Sequence, residues 1–280
     1  MGICLEPLRT RCVRSMDVEQ LRFIDTHAHI YGEEYGSDLS EVIERARQVG
    51  ACAVFLPSTD LETAAQCEEV ARRYPGFCYP MIGLHPENLP ARPLDVVLSI
   101  EDRLAHDNPC IAIGEIGLDF YWDSSRAEEQ VEVFRRQLQL ALRFRLPVMI
   151  HCRKAHREML ALLSEFKPAA LRGVFHCFSG SIEQARELLA YPNFCLGIGG
   201  VVTFKNAKLP SVLASVPLER VVLETDSPYM SPVPLRGTRN EPANIVHIIR
   251  KLSEIYNLPP AAIAEQTTIN ARRLFLPESL

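Results

Sequence analysis

The chain alternates short apolar runs with longer segments of helical periodicity, and this alternation restricts the possible folds more than any other feature. Apolar, β-branched runs of strand length are predicted at residues 23–25, 52–56, 78–82, 110–115, 148–151, 173–176, 194–197 and 221–224. Helices are predicted at residues 39–49, 61–73, 93–106, 125–144, 154–166, 182–190, 208–215, 241–256 and 259–275. Eight strands, each followed by a helix, are typical of a closed (β/α)8 TIM barrel, here with an extra C-terminal helix.

An open, doubly wound sheet is the alternative fold. Such a sheet would place a glycine-rich phosphate-binding turn after an early strand. Here the glycine-rich stretch 197–200 follows only the seventh predicted strand. The runs at 148–150 and 221–223 are continuously apolar, as expected of parallel strands that are buried on both faces. The pattern therefore favours the barrel.

The length of 280 residues fits one large domain. We predict a single catalytic barrel over residues 16–280, preceded by a disordered tail at residues 1–15, and Met16 is an alternative first residue. The tail contains arginines but no apolar stretch typical of a signal peptide. The helix after residue 37 is expected to be capped by Ser37 or Asp38.

Composition places the protein in a reducing compartment, most simply the cytoplasm. Nine cysteines are an odd number, and none is spaced as Cys-x-x-Cys. We interpret most of them as small buried apolar residues. No apolar run approaches the ~18 residues of a membrane span. The net charge of −5 provides no general attraction for nucleic acid, so a local basic rim or bound cations would have to supply it.

Six polar residues lie at the C-terminal ends of predicted strands, where barrel enzymes place their chemistry. They are His27, His29, Glu115, His151, His176 and Asp226. Four imidazoles and two carboxylates can hold two divalent cations if the fold brings them together. A set so rich in imidazole favours Zn, Mn, Ni or Fe, whereas Mg prefers oxygen ligands.

The spacing suggests how these six residues divide. Side chains at positions i and i+2 of an extended chain point to the same side, so His27 and His29 can reach one ion. A carboxylate that closes an apolar strand is costly unless it is paired, which makes Glu115 the candidate bridge between two ions. Asp226 would complete the first ion's shell and accept a proton from water. The histidines at 151 and 176 would hold the second ion.

Seven stretches together resemble the TatD family of metal-dependent deoxyribonucleases, within the amidohydrolase-like barrels. They are FIDTHAH (23–29), IGLHP (82–86), GEIGLD (114–119), PVMIHCR (147–153), FHCFSG (175–180), LETDSP (223–228) and RNEP (239–242). The resemblance implies a TIM barrel of the metallo-dependent hydrolase type. It also implies Mg-supported hydrolysis of DNA phosphodiester bonds, often from the 3′ end, in a reaction of low sequence specificity.

The resemblance also assigns roles to particular residues. The six residues above match the family's metal ligands, and His85 and Arg153 match its phosphate-side contacts. Two departures from the family pattern are the Ile30-Tyr31 pair after His29 and the basic segment 154–158. We expect both to affect substrate preference without touching a metal ligand.

Several neighbouring residues carry weaker signals. Asp119 and Tyr121 are expected to orient a ligand, and Arg239 and Asn240 to begin and cap the last barrel helix. No role is assigned to His106, His156 or His247.

Two other functions remain open from the sequence. An amidohydrolase that cleaves a small amide, ester or lactone would share the barrel, but many such enzymes have a modified Lys where this chain has Glu115. A non-catalytic barrel that retained the ligands is the third possibility, and it leaves costly buried charges without a purpose. The lead hypothesis is a monomeric DNA hydrolase that does not associate with membranes.

Overall fold

The computed structural model describes residues 21–106 and 108–276. Its strands are β1 Phe23–Asp25, β2 Ala51–Leu56, β3 Cys78–Pro80, β4 Ile113–Asp119, β5 Val148–Arg153, β6 Gly173–Phe175, β7 Phe194–Ile198 and β8 Val221–Leu223. Its helices are α1 Leu39–Gln48, α2 Leu61–Arg73, α3 Pro93–His106, α4 Ala127–Phe144, α5 His156–Leu163, α6 Ile182–Leu189, α7 Leu209–Leu213, α8 Ile245–Tyr256 and α9 Pro260–Phe275. The tail predicted at residues 1–15 lies outside the described residues.

All strand pairs are parallel and follow the chain order. One sheet runs β1-β2-β3 and the other β4-β5-β6-β7-β8. Single parallel bridges join the two sheets, between Ile82 and Ile113 on one side and between Ala28 and Ser227 on the other. The sheets therefore close into a barrel, and the predicted (β/α)8 fold with its extra helix is confirmed.

The interior of the barrel is filled by residues from all eight strands or the positions beside them. They are Ile24, Ala53, Phe55, Met81, Ala112, Met149, Val174, Cys195 and Val222. The same cluster includes Leu274 and Phe275 of α9, and the Phe275 ring centroid lies 5.2 Å from that of Phe55. Removing this apolar surface from water stabilises the fold.

Helix α9 closes the N-terminal end of the barrel. The side-chain amide of Asn270 donates to the carbonyl oxygens of Leu218 and Val221, both at 2.8 Å, at the start of β8. The hydroxyl of Thr268 donates to the carbonyl oxygen of Arg22, just before β1, at 3.1 Å. The added helix thus holds the first and last strands together and leaves the opposite end of the barrel open for a site.

The predicted cap of α1 is wrong. Asp38 occupies the N-cap position, but its side chain makes no cap hydrogen bond. Its carboxylate instead accepts two hydrogen bonds from the Arg239 guanidinium, at 2.8 and 2.6 Å. The bidentate pair with Arg239 occupies both oxygens of this carboxylate and adds the attraction of a full positive charge, which a backbone amide lacks.

Other helices start as their sequences favour. Helix α2 begins at Asp60, whose carboxylate accepts from the backbone of Thr63 at 2.8 Å while the Thr63 hydroxyl accepts from the backbone of Asp60 at 2.9 Å. Helix α6 begins with the same reciprocal arrangement between Ser181 and Gln184. Each arrangement satisfies amide groups that a helix start leaves without a partner.

The largest boundary error concerns β4, which was predicted at 110–115. The strand runs to Asp119, because its backbone remains paired with β5 as far as Asp119 and Arg153. Consequently Glu115 and His151 lie within their strands and do not end them. The glycines at 114 and 117 interrupt the apolar pattern, so the sequence signal stops too early.

The last barrel helix starts later than predicted. A single 3-10 turn covers Pro242–Asn244, and α8 begins at Ile245. Asn240 therefore does not cap the helix. Its side-chain amide donates to the carbonyl oxygens of Thr225 and Tyr229, at 2.9 and 2.7 Å, and holds the loop after β8.

The seven described cysteines are free thiols, and each is buried or half-buried, as the composition suggested. Across residues 21–106 and 108–276, the structure contains no helix with the length and apolarity that a membrane crossing requires.

Candidate metal centre

The six predicted ligands converge around Glu115 at the C-terminal end of the barrel, where the Glu115 side chain is almost fully buried. Its Oε1 lies near Nε2 of His176 (2.8 Å), Nδ1 of His151 (3.0 Å) and Nε2 of His85 (3.3 Å). Its Oε2 lies near Nε2 of His27 (3.2 Å) and Nε2 of His29 (3.5 Å). The two oxygens of one carboxylate thus face two separate sets of imidazoles.

Asp226 belongs to the set on the Oε2 side. Its Oδ1 lies 3.6 Å from Nε2 of both His27 and His29. Asp226 follows β8 by three residues, and its backbone amide donates to the carbonyl oxygen of His27 at 2.9 Å. Its φ of 56° is in the left-handed region, which is uncommon for an aspartate and is found often in functional sites.

His85 lies deeper than the sequence suggested, since it contacts Glu115 directly. Its Nδ1 accepts a hydrogen bond from the backbone amide of Glu87 at 3.2 Å, which leaves Nε2 to carry the proton toward Glu115. Potential ligand atoms of His85, Glu87 and His151 also lie within 4.8 Å of one another. Sequence reasoning missed Glu87, although it follows the His85-Pro86 motif directly.

Tyr31 contacts a predicted ligand, and the expectation that it would not is wrong. Its hydroxyl lies 2.8 Å from Nδ1 of His29 and donates to the carbonyl oxygen of Pro57 at 3.0 Å. A phenol has only one hydrogen, so His29 must be the donor in the contact between them. The lone pair of His29 is then on Nε2, which faces Glu115 and Asp226.

For the other departure from the family pattern, the segment 154–158, the described residues show no side-chain hydrogen bond or ion pair with the predicted ligands. His156 in this segment pairs with Glu187 at 2.8 Å.

Two buried carboxylates hold the imidazoles on the Oε1 side. Oδ2 of Asp119 lies 2.9 Å from Nε2 of His151, which is the contact expected of a residue that orients this imidazole. Oε1 of Glu224 lies 3.7 Å from Nδ1 of His176 and accepts the backbone amide of Cys177. Sequence reasoning missed Glu224, two residues before Asp226. The Glu224 carboxylate needs glycine at 197, where a Cβ would lie 2.2 Å from Oε2 of Glu224.

The cluster shifts the pKa values of its own members. Burial alone would raise the pKa of Glu115, but His176, His85 and His27 outweigh it and hold that pKa well below its usual range. Burial likewise opposes ionisation of Asp226, but the neighbouring imidazoles of His29, His27 and His176 outweigh it and keep its pKa low. Both carboxylates are therefore ionised at neutral pH.

The histidines respond in opposite directions. Burial, together with the nearby His176, lowers the pKa of His27. Burial also acts to lower the pKa of His176, but the Glu115 carboxylate outweighs it and raises that pKa well above its usual value. The cluster without cations therefore retains protons on the Oε1 side, and a metal ion would compete with them.

The donor set suits divalent cations. Nε2 of His27 lies 3.0 Å from Nε2 of His29, and both atoms face the same carboxylate oxygen. Because Nε2 of His29 carries a lone pair, a proton on Nε2 of His27 can bridge this contact, and a bound cation would replace that proton. Within residues 21–106 and 108–276, no lysine or arginine forms an ion pair with Glu115 or Asp226. Bound cations would supply the missing positive charge.

The barrel and this cluster define a metal-dependent hydrolase, with the candidate metal-binding groups at the mouth of the barrel. The family described as "TatD related DNase" matches residues 24–276. The chain belongs to this TatD family.

Three related proteins illustrate how close the similarity is. The uncharacterized metal-dependent hydrolase YabD of Bacillus subtilis is 41% identical over 252 residues, which is 90% of this chain and 98% of YabD. The 3′-5′ ssDNA/RNA exonuclease TatD of Erwinia billingiae is 33% identical over 257 residues, 90% of this chain and 98% of that protein. The crystal structure of YjjV, a TatD homologue from Escherichia coli, superposes with a TM-score of 0.84 at 32% identity and covers 91% of this chain and 98% of that chain.

Proposed function

We propose that this protein hydrolyses phosphodiester bonds in DNA with the help of two divalent cations, removing nucleotides from the 3′ end. The observation that carries the proposal is the division of five imidazoles between the two oxygens of Glu115. A bridging carboxylate is what a pair of cations about 3.5–4 Å apart requires. A relative named as a 3′-5′ ssDNA/RNA exonuclease, 33% identical, supports nucleic acid as the substrate.

The ligands divide into two sets under this proposal. His27, His29 and Asp226 would hold one cation, His151 and His176 would hold the other, and Glu115 would contribute to both sites. The ligand set suits Zn, Mn, Ni or Fe, and the family resemblance adds Mg as an activator. Bound at these positions, two divalent cations would lower the pKa of a water molecule and offset charge on the phosphoryl oxygens.

Asp226 is the proposed base that accepts the proton of the attacking water. Its carboxylate is partly open to solvent at the mouth, and its lowered pKa keeps it ionised. Its Oδ1 faces His27 and His29, so the water would be positioned beside those imidazoles. Glu115 shares the catalytic role by fixing the distance between the two sets of ligands.

His85 and Arg153 are the proposed substrate contacts. Nε2 of His85 carries a proton beside Glu115 and can turn that donor toward a phosphoryl oxygen. Arg153 lies further out on the rim, where its guanidinium can donate to a neighbouring phosphate. Phosphates are the same in every sequence, so these contacts predict low sequence specificity.

The test is a hydrolysis assay with purified protein of the full sequence and added Mg²⁺, Mn²⁺ or Zn²⁺. Substrates are single-stranded DNA, single-stranded RNA and duplex DNA, each labelled at the 5′ end and offered with a free or a blocked 3′ end. We expect a ladder of products shortened from the free 3′ end. Light scattering in the same buffer should give the mass of one chain, 31.5 kDa, for a monomeric single-domain enzyme.

The matched variants are Asp226→Asn and Asp102→Asn, the latter on the exposed surface of α3. Asp226→Asn should abolish the ladder and Asp102→Asn should leave it unchanged. Intact nucleic acid with all three metals would overturn the proposal. Turnover of a cyclic amide, ester or lactone under the same conditions would favour the amidohydrolase alternative.

A further inference from the structure

An exposed aromatic ledge lies on the rim of the barrel mouth, directly after β4. The side chains of Tyr121 and Trp122 are 52% and 64% exposed, and their ring centroids lie 4.9 Å apart at a steep angle. The Arg153 guanidinium carbon lies 3.8 Å from the Tyr121 ring centroid and 5.3 Å from that of Trp122. We refer to Tyr121, Trp122 and Arg153 as the rim ledge.

The backbone of the rim ledge is held firmly. Oδ1 of Asp119 accepts the backbone amides of Tyr121 at 2.8 Å and of Trp122 at 3.2 Å. The buried amide of Gln130 bonds both the backbone nitrogen and the carbonyl oxygen of Asp119, each at 2.9 Å. The backbone of Phe120 donates to the carbonyl oxygen of Arg153 at 2.9 Å. The ledge is therefore set in position before any ligand arrives.

The ledge is also close to the metal centre, because Asp119 serves both. While Oδ1 holds the two ledge amides, Oδ2 lies 2.9 Å from Nε2 of His151. One side chain thus separates the exposed indole from an imidazole that contacts Glu115. A nucleotide whose phosphate lay at the centre would bring its base to this rim.

We propose that the face of Trp122 stacks an unpaired nucleobase of a single-stranded nucleic acid, next to the phosphate that is cleaved. This inference rests on the proposed function. Proteins commonly bind single strands with an aromatic side chain beside an arginine. Every base has a π face that can stack on the ring, and every phosphodiester link carries a negative charge that the arginine attracts. In a duplex, both faces of each base are already stacked on neighbours.

The position of the exposed aromatic residues supports a nucleobase over a protein partner. In the described part of the chain, the aromatic side chains among the exposed large hydrophobics are Tyr121, Trp122 and Tyr229. All three follow β4 or β8 at the open end of the barrel, and Tyr229 has its ring centroid 6.4 Å from that of His29. Among the exposed aliphatic residues, Leu98 and Ile269 lie on helices α3 and α9, and Val233 is in the loop after β8.

The experiment measures binding with no cleavage, in EDTA, so that it does not depend on the nuclease reaction. Fluorescein-labelled (dT)6 and a six-unit abasic sugar-phosphate of the same charge are titrated with the protein, and anisotropy gives each Kd. Trp122 is the only tryptophan in the chain, so its fluorescence reports stacking directly. We expect (dT)6 to quench it and the abasic strand to leave it unchanged.

Variants then assign the effect to the indole. Trp122→Ala should weaken (dT)6 binding about 5- to 140-fold, which is the range found for removal of one stacking ring, and leave abasic binding unchanged. Trp122→Phe should restore most of the affinity. Ile269→Ala, which removes an exposed side chain on α9, should change neither Kd. Thermal melts of each variant check that it is folded.

The proposal is wrong if Trp122→Ala binds (dT)6 as tightly as the native protein, or if it binds (dT)6 and the abasic strand more weakly by the same factor. It is also wrong if the native protein binds neither strand. Tighter binding of a blunt duplex than of (dT)6 would also contradict it. Base-dependent binding that disappears in Trp122→Ala would support the ledge even if the hydrolysis assay failed, so the two proposals are tested separately.

Discussion

The hydroxyl of Tyr31 accepts a hydrogen bond from Nδ1 of His29, at 2.8 Å, because its own hydrogen is donated to the carbonyl oxygen of Pro57. Burial raises the pKa of Tyr31, so the phenol stays neutral and keeps this direction of donation. The contact selects one tautomer of His29 and turns its bare Nε2 toward Glu115. A residue that departs from the family pattern thus orients a proposed ligand.

Tyr31→Phe should therefore weaken metal binding while leaving the fold intact. An outer partner of a ligating histidine typically contributes about 10- to 100-fold to metal affinity, and we expect a loss in this range. Isothermal titration of the metal-free protein with Zn²⁺ or Mn²⁺ measures it. Tyr256→Phe is the matched control. Tyr256 lies at the end of α8, and its hydroxyl also donates to a backbone carbonyl oxygen, that of Val216 at 3.0 Å. Equal affinities for the two variants would refute the role of Tyr31.

Glu115→Gln should remove metal binding and hydrolysis together. The amide keeps the size of the side chain but presents only one oxygen and no charge to the two sets of imidazoles. We expect activity to fall more than about 100-fold. Loss of a residue that only hydrogen-bonds a metal ligand typically costs about 10- to 100-fold, and Glu115 is a proposed ligand itself. Elemental analysis of the purified variant should show less than one metal per chain. A variant that kept two metals per chain would show that Glu115 does not bridge them.

Removal of metal should lower thermal stability as well as activity. A ligand that binds only the folded state stabilises it by about 2.7 kcal/mol at a concentration 100 times its Kd. For a domain of this size, 1 kcal/mol corresponds to about 2–4 °C in Tm. Calorimetry with and without EDTA should thus differ by roughly 5–10 °C, and added cation should restore the higher Tm. An unchanged Tm would mean that the cluster holds no resident cation.

Asp60→Ala should destabilise the protein by about 1 kcal/mol, since the N-cap of α2 loses its acceptor. Burial alone would raise the pKa of Asp60, but hydrogen bonds from Thr63 and Asn88 hold that pKa below its usual value. The stabilisation is therefore present above the unfolded pKa, near pH 4, and is lost as the pH falls through the folded pKa.

Urea unfolding of wild type and Asp60→Ala at several pH values measures this effect. The difference in free energy of unfolding should be constant from pH 7 to about pH 5 and shrink below pH 4. Asp60→Asn, which keeps an acceptor oxygen, should lose less than Asp60→Ala. A difference that grew toward low pH would contradict the assignment.

The strand–helix alternation was enough to predict the barrel, because each parallel strand and each amphipathic helix has its own period. Helices α2 and α3 begin and end at the predicted residues, since Asp60 and Pro75 mark one and Pro93 begins the other. The extension of β4 to Asp119 was not visible. It depends on pairing with β5, which is a tertiary interaction that glycine-rich sequence conceals.

The convergence of the six ligands followed from one rule, that the C-terminal ends of barrel strands meet. The rule applies to strand ends and gives no information about the side chains that reach them. Tyr31 forms a hydrogen bond with His29, the backbone amide of Glu87 donates to His85, and Glu224 lies 3.7 Å from His176. Loop and rotamer geometry set these contacts. From the sequence alone, a polar side chain near a motif could contact many different residues. Only the folded structure shows which of these contacts is made.

One carboxylate oxygen of Asp119 contacts the imidazole of His151, and the other accepts the backbone amides of Tyr121 and Trp122. Altering this carboxylate would therefore disturb the imidazole cluster and the loop that carries Tyr121 and Trp122 at once. The side chains of Tyr121 and Trp122 are under no such double constraint, because their loop is anchored through its main chain. Under the proposed stacking, substitutions at these two positions would therefore alter substrate preference and leave the geometry of the imidazole cluster unchanged.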